Sequence, residues 1–204
     1  MTNFSIEKSI DGPVIGIDEV GRGPLAGPVV SCGCLFNTYD NQLSYTSIKD
    51  SKKLTAKQRL KLFLYFKQLQ KNKIIEFHLG FATVQEIDKI NILEATKLSM
   101  KRVIDKFNFE NPHLIIDGNF SLNYQNEKSI IGGDKKSLSI ASASIIAKVH
   151  RDRLMSILDH KFTFYDWKKN AGYGTKKHID AIHKHGVTQF HRKSFEPIKS
   201  LLKK

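Results

Sequence analysis

The sequence predicts an α/β domain with a helical C-terminal part. Three observations carry that reading: short apolar runs alternate with stretches of helical period, several of those runs end in acid followed by glycine, and the last forty or so residues lose the strand pattern altogether. The length of 204 residues suits one domain with a substantial core, and a 40% hydrophobic share suits a folded chain. The expected unit is therefore residues 1–204, with about 160–204 as its helical C-terminal part.

The elements follow in order. "PVIGIDEV" (13–20) and "GPVVSCGCLF" (27–36) read as strands joined by a turn around Gly21-Arg22-Gly23. Residues 37–50 are polar and loop-like. "TAKQRLKLFLYFKQLQ" (55–70) places Leu60, Phe63, Leu64, Phe66 and Leu69 near helical spacing, with Thr55 as N-cap. "KIIEFHLGFA" (73–82) is a third strand. "NILEATKLSMKRVIDKFN" (91–108) is a helix capped by Asn91, with Ile92, Thr96, Met100, Val103 and Phe107 as its apolar stripe. "HLIIDG" (113–118) has the look of a buried central strand whose last side chain, Asp117, emerges at the sheet's end. "KSIIGGD" (128–134) repeats the theme and ends in Asp134. The following helix, 137–161, opens with Ala141, Ser142, Ala143, Ser144 and Ala147, side chains small enough to lie close to a sheet. "GYGTKKHIDAIHKHG" (172–186) reads as a turn, a Thr175 cap, a short helix and a glycine stop, and a basic helical tail follows from 194.

Composition narrows the function. Thirty-three Lys and Arg against twenty Asp and Glu leave a net charge of +13, which attracts phosphate polyanions. No apolar run nears the roughly 20 residues of a membrane helix, and the N-terminus lacks the pattern of a secretory signal, so the expected compartment is the cytoplasm. Cys32 and Cys34 share a strand face and read as small hydrophobes, because no further ligand spacing accompanies them. The eight histidines likewise form no zinc pattern.

Asp18-Glu19, Asp117 and Asp134 end three short strands. In open α/β sheets the loops at strand ends build the functional cleft. Any one of these acids alone reads as a strand end on the surface. Together they would raise one another's pKa unless a cation intervened, and a set of hard oxygens suits Mg²⁺ or Mn²⁺. A basic surface brings a phosphodiester to such a site, and two metal ions can hydrolyse it.

Gly21 to Ala26 fits the loose dinucleotide pattern G-x-G-x-x-G/A, but Pro24, Gly27 and Pro28 interrupt the helix that pattern requires. No P-loop exists. The turn is instead one whose glycines let the backbone approach a sugar closely. Ser51, Lys52 and Lys53 precede a helix in a turn suited to gripping phosphate. Trp167, with Phe162, Phe164 and Tyr165, reads as core and substrate-side packing, and Asp152 as a structural ion pair.

"GIDEVGRGPLAGPVV", "DSKKLT", "NILEAT", "IDGN", "GGDKKSLSIASASIIAKVHRD", "GYGTKKH" and "HRKSFEP", in this order over about 13–199, resemble bacterial ribonuclease HII, the type 2 ribonuclease H family. The resemblance implies a ribonuclease-H-like fold with a mixed sheet flanked by helices. It implies hydrolysis of the RNA strand of RNA–DNA hybrids and cutting on the 5′ side of ribonucleotides embedded in duplex DNA, leaving 3′-OH and 5′-phosphate ends. It assigns Asp18, Glu19, Asp117 and Asp134 as metal ligands for Mn²⁺ or Mg²⁺, Gly21, Arg22 and Gly23 as readers of the ribose 2′-OH, and Tyr173 as a stacking partner for the neighbouring deoxyribose. Ser142 stands where alanine is more usual, a swap of one small residue for another. A non-catalytic nucleic-acid binder would not need all four acids, and a type 1 or type 3 enzyme would lack the Gly-Arg-Gly turn after Asp-Glu. A monomer is expected; the sequence does not show a sliding-clamp partner.

Overall fold

The computed structural model describes residues 2–39, 48 and 54–203. Five strands, β1 (Val14–Val20), β2 (Val29–Phe36), β3 (Ile75–Ala82), β4 (His113–Asp117) and β5 (Glu127–Ile130), form one sheet in the order β3-β2-β1-β4-β5. β2 runs antiparallel to both β1 and β3, whereas β1, β4 and β5 are parallel to one another, so the sheet is mixed. The central position of β1 puts Asp18 and Glu19 beside the end of β4, where Asp117 sits.

Helices cover both faces. α1 (Ala56–Lys71) and α3 (Leu138–Lys161) lie on one side, where Phe66, Cys32, Cys34, Ile145 and Ile146 share a core. α2 (Val84–Ile104) lies on the other, packing Met100, Val103 and Ile104 onto Ile15, Ile17 and Leu114. Buried side chains of this size each stabilise the fold by roughly 1.5–3 kcal/mol. The start of α3 approaches β1 so closely that a Cβ on Gly16 would stand 2.5 Å from the main chain of Ser139 and Ile140. The backbone at the helix start meets a glycine in the strand, and this close approach brings α3 down onto β1.

Local signals account for most helix starts. Thr55 caps α1, accepting from the Gln58 N–H in a reciprocal capping box, and Ser137 and Thr175 cap α3 and α5 (Lys176–His185). Two expectations are corrected. α2 begins at Val84 and not at Asn91, because Thr83 and Glu86 form an earlier capping box; Asn91 (φ 66°) bends the helix, and its side chain caps the second half by accepting from the Leu93 and Glu94 N–H groups. On α1, Leu60 and Leu64 are 51% and 60% exposed, since only Leu62, Phe63, Phe66 and Leu69 turn inward.

β5 ends at Ile130, and Asp134 falls in a 3₁₀ turn over Gly133–Lys135, entered through Gly132 in a left-handed conformation (φ 64°). The C-terminal part adds α4 (Trp167–Asn170), α5 and α6 (Ile198–Leu201) around Trp167, Tyr165 and Ile182. Trp167 is fully buried, but Phe164 is 59% exposed and stacks on His185 at 4.0 Å, outside the expected core. Among the described residues, no helix is long and apolar enough to cross a membrane.

Candidate active site

A cleft of about 400 Å³ opens at the ends of β1 and β4, lined by Asp18, Glu19, Asp117, Ser144, Lys148 and Tyr173 among others. Asp18 is buried, accepts the Glu19 N–H at 2.7 Å, and has its carboxyl pushed well above the usual range by burial and then by the charges of Glu19 and Asp117. The Ser144 hydroxyl hydrogen-bonds to Asp18 and opposes that shift. Glu19 is raised as well, by burial against the pull of Arg22, whose Nη1 lies 3.4 Å from Glu19 Oε1. The other Glu19 oxygen, Oε2, is buried with no hydrogen-bond partner. A buried oxygen of this kind and mutually repelling carboxylates are what a divalent cation relieves. The donor set fits one by chemistry, although among the described residues no three His, Cys, Asp or Glu side chains already form a metal cage.

Asp134 does not line this cleft. It is buried on the adjoining turn, and that turn is tied to the cleft because the Gly133 N–H donates to Asp117 Oδ1 at 2.7 Å. The structure thus gathers Asp18, Glu19 and Asp117 and sets Asp134 next to them in the fold. Ser51 and Lys52 lie outside the described residues. Asp152 pairs with Lys148 at 2.6 Å and Arg59 at 3.4 Å, an ion pair at the cleft's rim, as the sequence suggested.

The glycine turn leaves β1 just beyond the acids. Gly21 needs its positive φ of 95°, and any Cβ there would collide with the Arg151 side chain. Gly23 faces Tyr173, since a Cβ on it would lie 3.4 Å from the tyrosine ring. Tyr173 is 48% exposed, so its ring stands beside the turn and open to solvent. Leu25 N–H donates to Gly172 O at 2.8 Å, stitching the two loops together.

Two buried guanidinium groups lie behind the turn. Arg192 donates to Arg22 O at 2.8 Å, to Gly27 O at 2.8 and 3.0 Å, and to Gly21 O. Arg151 donates to Pro28 O at 3.0 Å, Ala171 O at 2.8 Å and Ala26 O at 3.0 Å. Burial lowers their pKa values to about 9 for Arg192, with Arg151 adding to the effect, and about 10 for Arg151; both remain charged at neutral pH. In the sequence Ser144 reads only as a small side chain, and Arg192 carries no local signal. Nothing local in the sequence shows which carbonyls an arginine 170 residues away will hold.

A mixed sheet with acids at two neighbouring strand ends, helices on both faces and a basic surface is that of a ribonuclease-H-like hydrolase. The ribonuclease HII family model matches residues 15–198. Ribonuclease HII of Wolbachia pipientis subsp. Culex pipiens is 48% identical over 200 residues, covering 98% of each chain. Among solved structures, ribonuclease H2 of Pyrococcus horikoshii superposes with a TM-score of 0.72 at 25% identity, covering 94% of this chain and 98% of that one. The PCNA:RNase HII complex of Archaeoglobus fulgidus contains a chain with a TM-score of 0.74 at 23% identity, covering 91% and 96%. The chain belongs to the ribonuclease HII family and is a nuclease acting on the RNA of RNA–DNA hybrids.

Proposed function

We propose that the protein also cuts duplex DNA on the 5′ side of a single embedded ribonucleotide, leaving 3′-OH and 5′-phosphate ends, with Asp18, Glu19, Asp117 and Asp134 holding Mg²⁺ or Mn²⁺. The observation that carries this reading is the shared cleft: Asp18, Glu19 and Asp117 line it together with Tyr173, and Tyr173 stands against Gly23. Divalent ions at such a site would activate water and stabilise the leaving oxygen. The chain's own residues supply the rest. The Gly21-Arg22-Gly23 backbone approaches the ribose 2′-OH, and Tyr173 stacks on the next sugar, where a second hydroxyl would clash. The Lys-rich surface, including Lys52, neutralises phosphates, with Ser51 beside it in the same grip.

Residues 1–204 act in this reading as one catalytic unit with 160–204 as its helical part, a cytoplasmic monomer serving ribonucleotide repair and primer removal. The Archaeoglobus relative forms a complex with PCNA, and a sliding clamp is the corresponding partner we propose.

The experiment is a duplex DNA carrying one ribonucleotide, incubated with Mn²⁺ or Mg²⁺, with the cut mapped and its ends typed. One nick 5′ of the ribonucleotide with a 3′-OH is expected, and all-deoxy duplex should stay intact; a site that bonds one hydroxyl rejects its absence by roughly 10⁴-fold. A 2′,3′-cyclic phosphate would mean that the ribose itself attacks, and full activity in excess EDTA would remove the metal from the reading.

A further inference from the structure

Behind Tyr173 lies a buried histidine pair with no part in the chemistry described above. His178 and His191 are both fully buried, and their Nε2 atoms are 3.1 Å apart. Trp167 Nε1 lies 2.9 Å from His178 Nε2. An indole nitrogen only donates, so His178 Nε2 must accept, and the proton of that ring sits on Nδ1. His178 Nδ1 is 2.8 Å from the Tyr173 carbonyl, which it therefore donates to. The Thr188 N–H donates to His191 Nδ1 at 2.9 Å, so that ring carries its proton on Nε2, which shares the one His178 Nε2 lone pair with the Trp167 N–H. Each ring is held in one tautomer, and the relay ends on the backbone of Tyr173.

The same relay reaches the glycine turn. His191 bridges to Ala26 across the two loops, and its neighbour Arg192 grips the Gly21, Arg22 and Gly27 carbonyls. Tyr173 N–H in turn donates to Asn170 O at 2.9 Å, so the tyrosine's backbone is pinned on both sides. The dipeptide His191-Arg192 thus joins the two halves of the surface that faces the sugar.

We propose that His178 and His191 are positioning residues for substrate choice: by fixing the Tyr173 backbone they set its ring against Gly23, so that discrimination of a single ribonucleotide in DNA depends on them more than phosphodiester cleavage does. This inference rests on the reading of Tyr173 as the sugar-stacking residue.

Two polar substitutions at one position test it. In His178→Asn the side-chain amide nitrogen takes the place of Nδ1 and can still donate to Tyr173 O, while the contact with Trp167 and His191 is given up. His178→Gln reverses this, reaching the Nε2 position and losing Tyr173 O. The readout is the ratio of kcat/KM on a one-ribonucleotide duplex to kcat/KM on a uniform RNA–DNA hybrid, in which any loss of folded protein cancels. His178→Gln should lower the ratio roughly tenfold, about what one buried hydrogen bond can hold, and His178→Asn should keep it within about twofold of wild type. Equal ratios for Asn and Gln, or equal losses on both substrates, overturn the proposal and leave the pair as scaffold. Tyr173→Ala, run alongside, separates the two readings. If it leaves the ratio unchanged, the stacking role falls and takes this inference with it. If it lowers the ratio while His178→Gln does not, the positioning role alone is wrong.

Discussion

Arg192 and Asp18 are both buried charges beside the same glycine turn, and their surroundings treat them in opposite ways. Arg192 spreads four hydrogen bonds over three main-chain carbonyls. Asp18 faces Glu19 and Asp117, whose charges add to its burial, and Ser144 and one N–H offset only part of that cost. A buried charge with its donors satisfied is fixed scaffold. A buried charge among like charges is a place that binding a cation would improve. The difference separates residues that build the site from residues that use it, where burial alone would not.

The largest effect expected from this contrast is on turnover. Asp18→Asn should reduce cleavage by roughly 10³-fold, since metal-assisted stabilisation is worth several kcal/mol. Its effect on stability should be nil or favourable. The folded-state pKa of Asp18 is raised, so ionisation at neutral pH opposes folding, and the amide removes that opposition. Single-turnover assays and thermal melts read the two quantities, and an active variant would break the contrast. Arg192→Met should do the reverse to stability. With the Gly21, Arg22 and Gly27 carbonyls left without their donor, a loss of about 3 kcal/mol is expected, or roughly 10 °C in Tm for a chain of this size. A melt unchanged by that substitution would show that water replaces the guanidinium freely.

A third test uses acid. Burial, reinforced by His178, holds the His191 pKa at about 4, below the unfolded value of about 6.5. The neutral ring favours the folded state, so its contribution is complete above pH 6.5 and is lost as pH falls through that value towards 4, by on the order of 2 kcal/mol. Asp18 contributes with the opposite sign over the acid range, so the titration is sharpest in the Asp18→Asn background. Adding His191→Gln there should flatten the slope between pH 6.5 and 4; an unchanged slope would place the titrating group elsewhere. The smallest effect is metal stabilisation. Mg²⁺ at about ten times its Kd should raise the stability of the wild type by roughly 1.4 kcal/mol, and should leave the Asp18→Asn melt where it was.

Much of the fold was legible because it is written locally. Thr55 and Thr175 cap where their spacing says they should, the stripe from Thr96 to Phe107 is buried, and Gly186 ends α5. Asn91 misled as a helix start because a stronger signal, Thr83 with Glu86 three residues on, stands eight residues before it. Leu60 and Leu64 misled because helical spacing shows that a stripe exists but not how wide a stripe the neighbouring helix covers. In the candidate site, acids at strand ends were readable since sheet topology brings strand ends together. The hydroxyl of Ser144 on Asp18 and the grip of Arg192 on the turn were not. Both depend on contacts between distant parts of the chain, which carry no periodicity of their own.

The 170 residues between Arg22 and Arg192 also order events in time. A ribosome adds on the order of 5–20 residues per second, so about ten seconds or more pass between the appearance of the glycine turn and that of the side chain that holds it. For the later part of that interval the nascent chain carries the acids of β1 and β4 without the arginine that holds the turn. A translation product that stops short of residue 192 therefore lacks the donor that holds the Gly21, Arg22 and Gly27 carbonyls. The brace of the glycine turn arrives in one of the last steps of synthesis, after Asp18, Glu19, Asp117 and Asp134.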